Sequence, residues 1–362
     1  MTKSARSTGR ADADDFEPTL VRAWEPDIAV SANVTDTAAI SRFAEHIRGA
    51  YTAPGINFGS AEPLTVMGKH FAVISQRSGL VPQSIHTIPA IRWHQAFALV
   101  RQVQLYIEED DVGLVAASSG AHNYYHWLAE TVGAAIMHRL LHPGAAVPLI
   151  LPTITRTWQR DTLDMFNIDN RIIEVGLNDA AVFDGAILTN ITARDYGFLP
   201  HPAILRQFGA QLARHKIASS GADLIYLARL DAGDRRRMAN ELELCAMLER
   251  RGFRIIIPSE HSAAEQAGFL REAKLVVAPH GAALGNLLYC AESDAGPCVI
   301  ELQQEAYLSR IYAKLCQAKA LNYSTIISAR DGSADYHHSS TWLADIDLVE
   351  IMLERKFAAI GR

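Results

Sequence analysis

At 362 residues the chain is long enough for two domains of about 150 residues each. With 49% hydrophobic and 20% charged residues it can bury an ordinary core, which excludes general disorder. A net charge of −6 argues against sequence-independent nucleic-acid binding, which needs a basic surface. The cysteines Cys245, Cys290, Cys298 and Cys316 form no CxxC pair and read as small buried hydrophobes of a reducing compartment. No apolar run reaches the roughly 20 residues that span a bilayer. The N-terminus lacks the apolar stretch of a secretion signal, so the expected location is cytoplasmic, with peripheral membrane contact left open.

Residues 1–25 read as a solvated, disordered tail. From about 63 to 117, short apolar runs broken by Ser78-Gly79, Pro82 and Pro89 suggest a partly antiparallel β region. A strand is expected at 112–117, followed by a helix capped by Asn123 that runs to about Leu141. Leu128, Val132, Ile136 and Leu140 supply its buried stripe. Next come a strand at 148–151, a helix at 158–166, strands at 171–175 and 186–189, and a helix from the prolines at 200–202 to about 216. The small polar stretch 218–221 reads as a linker, dividing a domain at 26–217 from one at 218–362. Beyond it, strands at 224–227, 254–257, 275–278 and 298–302 alternate with helices. Asn240 with Glu243 starts one helix and Ser262…Glu265 forms a capping box for another. Further helices are expected at 282–290, up to about Lys319, and at about 347–357. Strict alternation predicts an α/β fold whose C-terminal domain is a doubly wound parallel sheet, with ligands beyond the carboxyl ends of its strands.

Four groups of residues carry candidate chemistry. His280, Gly281 and Ala282 form a strand-to-helix turn whose free N–H groups suit an anion, although a tight turn with a packed histidine is an equal reading. Arg229 ends a strand, and Arg236 and Arg237 precede Asn240 and Glu241. Guanidinium groups so placed suit phosphate, with Arg229 and Arg237 favoured over the solvated Arg235. Glu301, at the end of an apolar strand, could accept from a ribose diol or serve as an ordinary surface acid. In the first half, His126 and Glu130 are four apart on one helical face beside Asn123, Tyr124, Tyr125 and Trp127, whose rings are as readily core. Asp195 follows another strand toward the same cleft. No third ligand accompanies His126 and Glu130, so no metal site is expected.

These stretches resemble glycosyltransferase family 61 in content and order. The matches are Asn123–Trp127 with Glu130, Trp158-Gln159, Tyr226-Leu227-Ala228-Arg229, Arg236-Arg237-Met238-Ala239-Asn240-Glu241, Glu265-Gln266, and His280 to Asn286. They cover roughly residues 110 to 350, with almost no resemblance before Val112. Ala228 stands where a serine is common, and Gly285 where a threonine is more usual.

The resemblance implies a GT-B architecture of two Rossmann-like domains facing across a cleft. It also implies inverting, metal-independent transfer from a nucleotide sugar, a UDP-sugar by expectation, to a hydroxyl of a glycan or lipid-linked glycan. The nucleotide sugar is then a substrate and no cofactor is expected. Asn240, Glu241, His280, Gly281, Ala282, Asn286 and Glu301 join the arginines on the donor side, and Asn123, Tyr124, Tyr125 and Trp127 fall on the acceptor side. His126 is the expected base, oriented by Glu130, with Asp195 as its rival. The alternatives are a nucleotide-sugar epimerase of the same architecture or a non-catalytic nucleotide-sugar binding protein. A metal-dependent hydrolase ranks last.

Overall fold

Strands Leu224–Leu227, Leu275–Pro279, Cys298–Gln304 and Tyr323–Ser328 are buried along their whole lengths. That is the mark of a parallel sheet covered on both faces. The computed structural model describes residues 17–331 and 341–362, apart from 62, 69–70, 76, 78, 82–107, 110–111, 194–199, 216, 218–220, 232–235 and 291–295. In it these strands form a six-stranded sheet ordered Arg254–Ile256, Leu224–Leu227, Leu275–Pro279, Cys298–Gln304, Tyr323–Ser328 and Asp27–Val30. Every neighbouring pair is parallel. Alternate residues face different cores. Ile225, Val276 and Val299 pack with Ala267, Leu284 and Leu315, while Tyr226, Val277 and Ile300 pack with Leu244, Leu248 and Met352. Helices therefore cover both faces, as the alternation predicted.

The strand order reverses between Leu224–Leu227 and Leu275–Pro279, which creates a topological switch point at their carboxyl ends. The sixth strand comes from the far end of the chain. Asp27–Val30, expected at the start of the N-terminal domain, completes the C-terminal sheet, and the buried Lys356 bonds the Asp27 carboxylate and Asn322 Oδ1 at 2.8 Å. A four-residue edge strand carries too little alternation to announce its partner.

The first half holds a second sheet ordered Ile172–Val175, Leu149–Pro152, Gly113–Val115, Ala186–Thr189 and Phe58–Ala61. Its first four strands are parallel and the last antiparallel. A third sheet, Gly79–Leu80, Ala72–Ser75, Leu64–Met67, Ala180–Phe183 and Glu108–Glu109, is antiparallel except in its last pair. The antiparallel region expected before 117 is present in its described parts. The 218–220 portion of the expected linker lies outside the described residues.

Asn123 Oδ1 caps the long helix by accepting from the N–H groups of Tyr125 and His126. The helix is α over Tyr124–His126, π over Trp127–Val132 and α again over Gly133–Leu141. Leu128, Val132 and Ile136 are buried as expected, but Leu140 is 44% exposed. Four-residue spacing drifts by about 40° per step, and the stripe has rotated out of the core by its last member. One apolar cluster includes Leu128 and Phe166 from the first half with Leu284 and Leu287 from the second, so the halves share a core. Among the described residues no helix is long and apolar enough to cross a membrane.

Candidate active site

A cavity of about 600 Å³ opens at the switch point of the C-terminal sheet. One wall belongs to the second half: Ala228, Arg229, Asp231, Arg236, residues 258–262, Gln266 and Gly281 to Ala283. The other lining residues come from the first half: Asn123, Tyr124, Thr157, Trp158 and Asp161.

Arg229 is built into the sheet edge. Its N–H donates to Glu241 Oε1 at 2.7 Å, and Nη1 donates to the carbonyl of His280 at 2.6 Å. The guanidinium thus ties together the ends of the two strands flanking the switch point. Gly281 is needed beside it, because a Cβ there would lie 2.7 Å from Arg229 Nη1. The close approach expected between this glycine and a ligand is first an approach to Arg229. Burial and then the neighbouring Arg236 charge lower the Arg229 pKa.

Arg236 sits at a left-handed backbone position, φ 53°, with its guanidinium 4.8 Å from the centre of the Tyr307 ring. Its Nε and Nη1 are buried and have no hydrogen-bond partner among the described residues, and neither has the side-chain amide of Gln304. Arg237, favoured from sequence, is exposed and is not in the cavity wall. Its carbonyl accepts from Trp342 N–H at 3.1 Å, while Arg236's carbonyl accepts from Trp342 Nε1. The left-handed turn at Arg236 throws the two adjacent side chains in different directions.

Several expected donor contacts prove to be supports. Glu241 is buried, and its Oε1 also accepts from Tyr226 Oη at 2.9 Å. Asn240 uses both ends of its amide on the main chain of Ala344. Glu301 is fully buried between His280 Nδ1, which donates to Oε1 at 2.6 Å, and Tyr323 Oη, which donates to Oε2. Both its oxygens are committed inside the fold, so it orients His280 instead of meeting a ribose. The His280 side chain is 10% exposed, and its partial burial outweighs Glu301, so that its pKa is lowered.

Asn286 is also buried. It accepts from Tyr124 Oη at 2.7 Å and donates to Gln266 Oε1 at 2.7 Å, and Gln266 in turn donates to the carbonyls of Pro258 and His261. This chain of bonds fastens the first half to the segment forming the cavity rim. Residues Ala282–Tyr289 form a 3₁₀ helix instead of the expected α-helix, and a Cβ at Gly285 would lie 3.2 Å from Tyr125 Cα. Gly285 therefore serves contact between the halves, and its departure from threonine does not touch the cavity.

On the first-half side, Asn123 and Tyr124 reach the cavity. Tyr125 and Trp127 are core, and Trp127 Nε1 donates to Thr162 Oγ1 at 2.8 Å. His126 Nδ1 donates to Glu130 Oε1 at 2.8 Å, and Ser118 Oγ donates to Glu130 Oε2 at 2.6 Å. The expected pair is formed, but neither member lines the cavity. His126 lies about 200° around the helix from Tyr124, which turns it away. Asp195 falls outside the described residues.

The residues that sequence reasoning missed are Thr157, Asp161 and Asp231, together with residues 258–261. For Thr157 and Asp161 the signal was their spacing with Trp158, which places all three on adjoining faces of one helix turn. Gln159 secures that helix, accepting from the N–H groups of Thr155 and Arg156 and donating to the carbonyl of Ala121. Among the described residues no three His, Cys, Asp or Glu side chains gather around a common point.

The family model Glycosyltransferase 61 matches residues 124–296. Over that stretch the chain is similar to glycosyltransferase family 61. The matched stretch contains every cavity-lining residue except Asn123, so the family 61 signature and the cavity coincide. The similarity indicates a glycosyltransferase, a class whose substrates are a sugar donor and an acceptor. No curated protein matches the chain.

Proposed function

We propose that this chain is a family 61 glycosyltransferase that moves a sugar from a UDP-sugar to a hydroxyl of a glycan or lipid-linked glycan, with inversion and without a metal, in a GT-B-type cleft. The observation carrying this reading is the pair Arg229 and Arg236 beside the Gly281–Ala283 turn, all at the switch point of a parallel sheet. Two guanidinium groups and the first N–H groups of a helical segment offer fixed positive charge to a diphosphate. Arg236 Nε and Nη1, without a hydrogen-bond partner among the described residues, are donors a diphosphate could use. The same groups would stabilise the nucleoside diphosphate as it leaves, the task a divalent cation performs elsewhere.

Replacing Arg236 by alanine removes hydrogen bonds to a charged group, each worth about 1.5–3 kcal/mol, so UDP affinity is expected to fall by about 10–100-fold. Calorimetric titration of UDP and GDP into the wild type and Arg236→Ala checks this. Equal UDP affinity in both proteins would remove the arginine from the donor site. A screen of UDP- and GDP-sugars with pooled acceptors should show nucleotide release that depends on acceptor and survives chelator. Loss of activity with EDTA would overturn the metal-independent part. The anomeric configuration of the product, read by NMR, tests inversion.

A further inference from the structure

We infer that Asp161 is the catalytic base, taking the acceptor's proton, and that Trp158 beside it is the platform for the acceptor sugar ring. The inference rests on the donor site proposed above.

The helix Thr157–Met165 brings Thr157, Trp158 and Asp161 to the lining of the same cavity as Arg229 and Arg236, from the other half of the chain. In an inverting displacement the nucleophile enters opposite the leaving group. With the diphosphate on the arginines, the acceptor hydroxyl approaches from the Thr157–Asp161 side. Its oxygen bonds to the anomeric carbon as the bond from that carbon to the diphosphate oxygen breaks. The departing nucleoside diphosphate keeps the bonding electron pair, and the hydroxyl proton passes to the Asp161 carboxylate.

The other charged and titratable groups of the cavity fit this role less well. Asp231 lies near Arg229 and partly offsets the lowering of its pKa, and Glu260 belongs to the short turn Pro258–Glu260 with His261 next to it. All three are on the donor half. Asp161 is the one carboxylate among the described lining residues supplied by the first half. It is half-buried, and no described residue bonds its carboxylate. Glu130, by contrast, is engaged by both His126 and Ser118 away from the cavity.

Trp158 is held in place by edge-on contacts with Tyr124 and Trp127, at ring-centre separations of 5.3 and 6.1 Å. It offers the cavity a rigid apolar surface one position from Thr157 and three from Asp161. An aromatic wall beside a carboxylate suits a ring that is apolar on its face and hydroxylated at its rim.

The test uses the full chain and the donor–acceptor pair that gives the highest turnover in the screen. Positioned acid–base catalysis contributes about 10²–10⁴-fold, so Asp161→Asn should lose acceptor-dependent nucleotide release by that factor. Its UDP affinity should stay within about twofold of wild type, which also shows that the variant folds. Asp161→Ala should regain part of the lost rate in sodium formate, an effect that a structural role would not produce. Trp158→Ala should raise the acceptor KM and leave UDP affinity unchanged. Asp164→Asn, one turn along on the exposed side of the helix, is the control and should behave as wild type. Asp161→Asn turnover within tenfold of wild type overturns the assignment. So does a loss that formate does not rescue, or a larger loss in Asp195→Asn. If the wild type neither binds UDP or GDP nor releases nucleotide from any donor, the donor-site reading fails and the assignment of Asp161 falls with it.

Discussion

Arg236 and Arg237 are neighbours in sequence and carry the same charge, yet only Arg236 reaches the cavity. A positive φ at Arg236 and two bonds from Trp342 to the local carbonyls separate their directions. Gly281 is another position where one atom matters. Gly281→Ala puts a methyl group 2.7 Å from Arg229 Nη1, which is held by the His280 carbonyl and cannot move aside freely. The expected result is displacement of Arg229 and loss of about one charge-assisted hydrogen bond to the diphosphate, close to a tenfold fall in UDP affinity. Calorimetry with UDP reads the effect, and a thermal melt separates it from unfolding. Unaltered affinity would mean that Arg229 does not meet the nucleotide.

At the scale of elements, the His126 helix and the Ala282–Tyr289 segment form the joint between the halves. The π-helical stretch Trp127–Val132 lies at that joint, and π turns recur at functional sites. Tyr124, Asn286 and Gln266 bond across it inside the fold. Asn286→Leu would strand the Gln266 carbonyl oxygen without its donor, while the Tyr124 hydroxyl keeps Tyr289 at 3.1 Å. A buried polar group left unsatisfied costs about 1–3 kcal/mol, which should appear as a lower urea midpoint at unchanged m-value. An unchanged midpoint would show that this chain of bonds contributes nothing net to the joint.

Across the whole molecule, the six-stranded sheet and the sheet running from Ile172–Val175 to Phe58–Ala61 both reverse strand order, and the strand Asp27–Val30 closes the sheet of the other half. The antiparallel edge strand Phe58–Ala61 is tied to the helix Gly133–Leu141 through His138, which is buried against Phe58 and His142. Burial, with His142 adding to it, lowers the His138 pKa to about 4. The unfolded chain binds this proton near pH 6.5 and the folded chain only near 4, so stability should be full above about 6.5 and fall as pH drops toward 4. The loss over that window is about 3 kcal/mol from this residue. Urea unfolding at a series of pH values measures it, and His138→Gln should flatten the profile. A profile equally steep in the variant would place the effect on other groups.

The local signals of this chain were strong wherever strand and helix alternate. Fully apolar runs such as 275–279 announce a parallel sheet, Ser262 with Glu265 caps its helix as written, and the motif order announces the family. These features depend on residues close together in sequence, where periodicity and capping chemistry act directly. The edge strand at 27–30, the inward turn of Arg236 and the burial of Glu301 depend on partners brought in from elsewhere in the chain. So does the placing of the two carboxylates. Glu130 looked catalytic from its spacing to His126 but is enclosed by His126 and Ser118, whereas Asp161 carried no recognised motif and faces the cavity. Sequence spacing settles which side chains share a helix face. Only the packing of that helix against the other half settles which face meets the ligand.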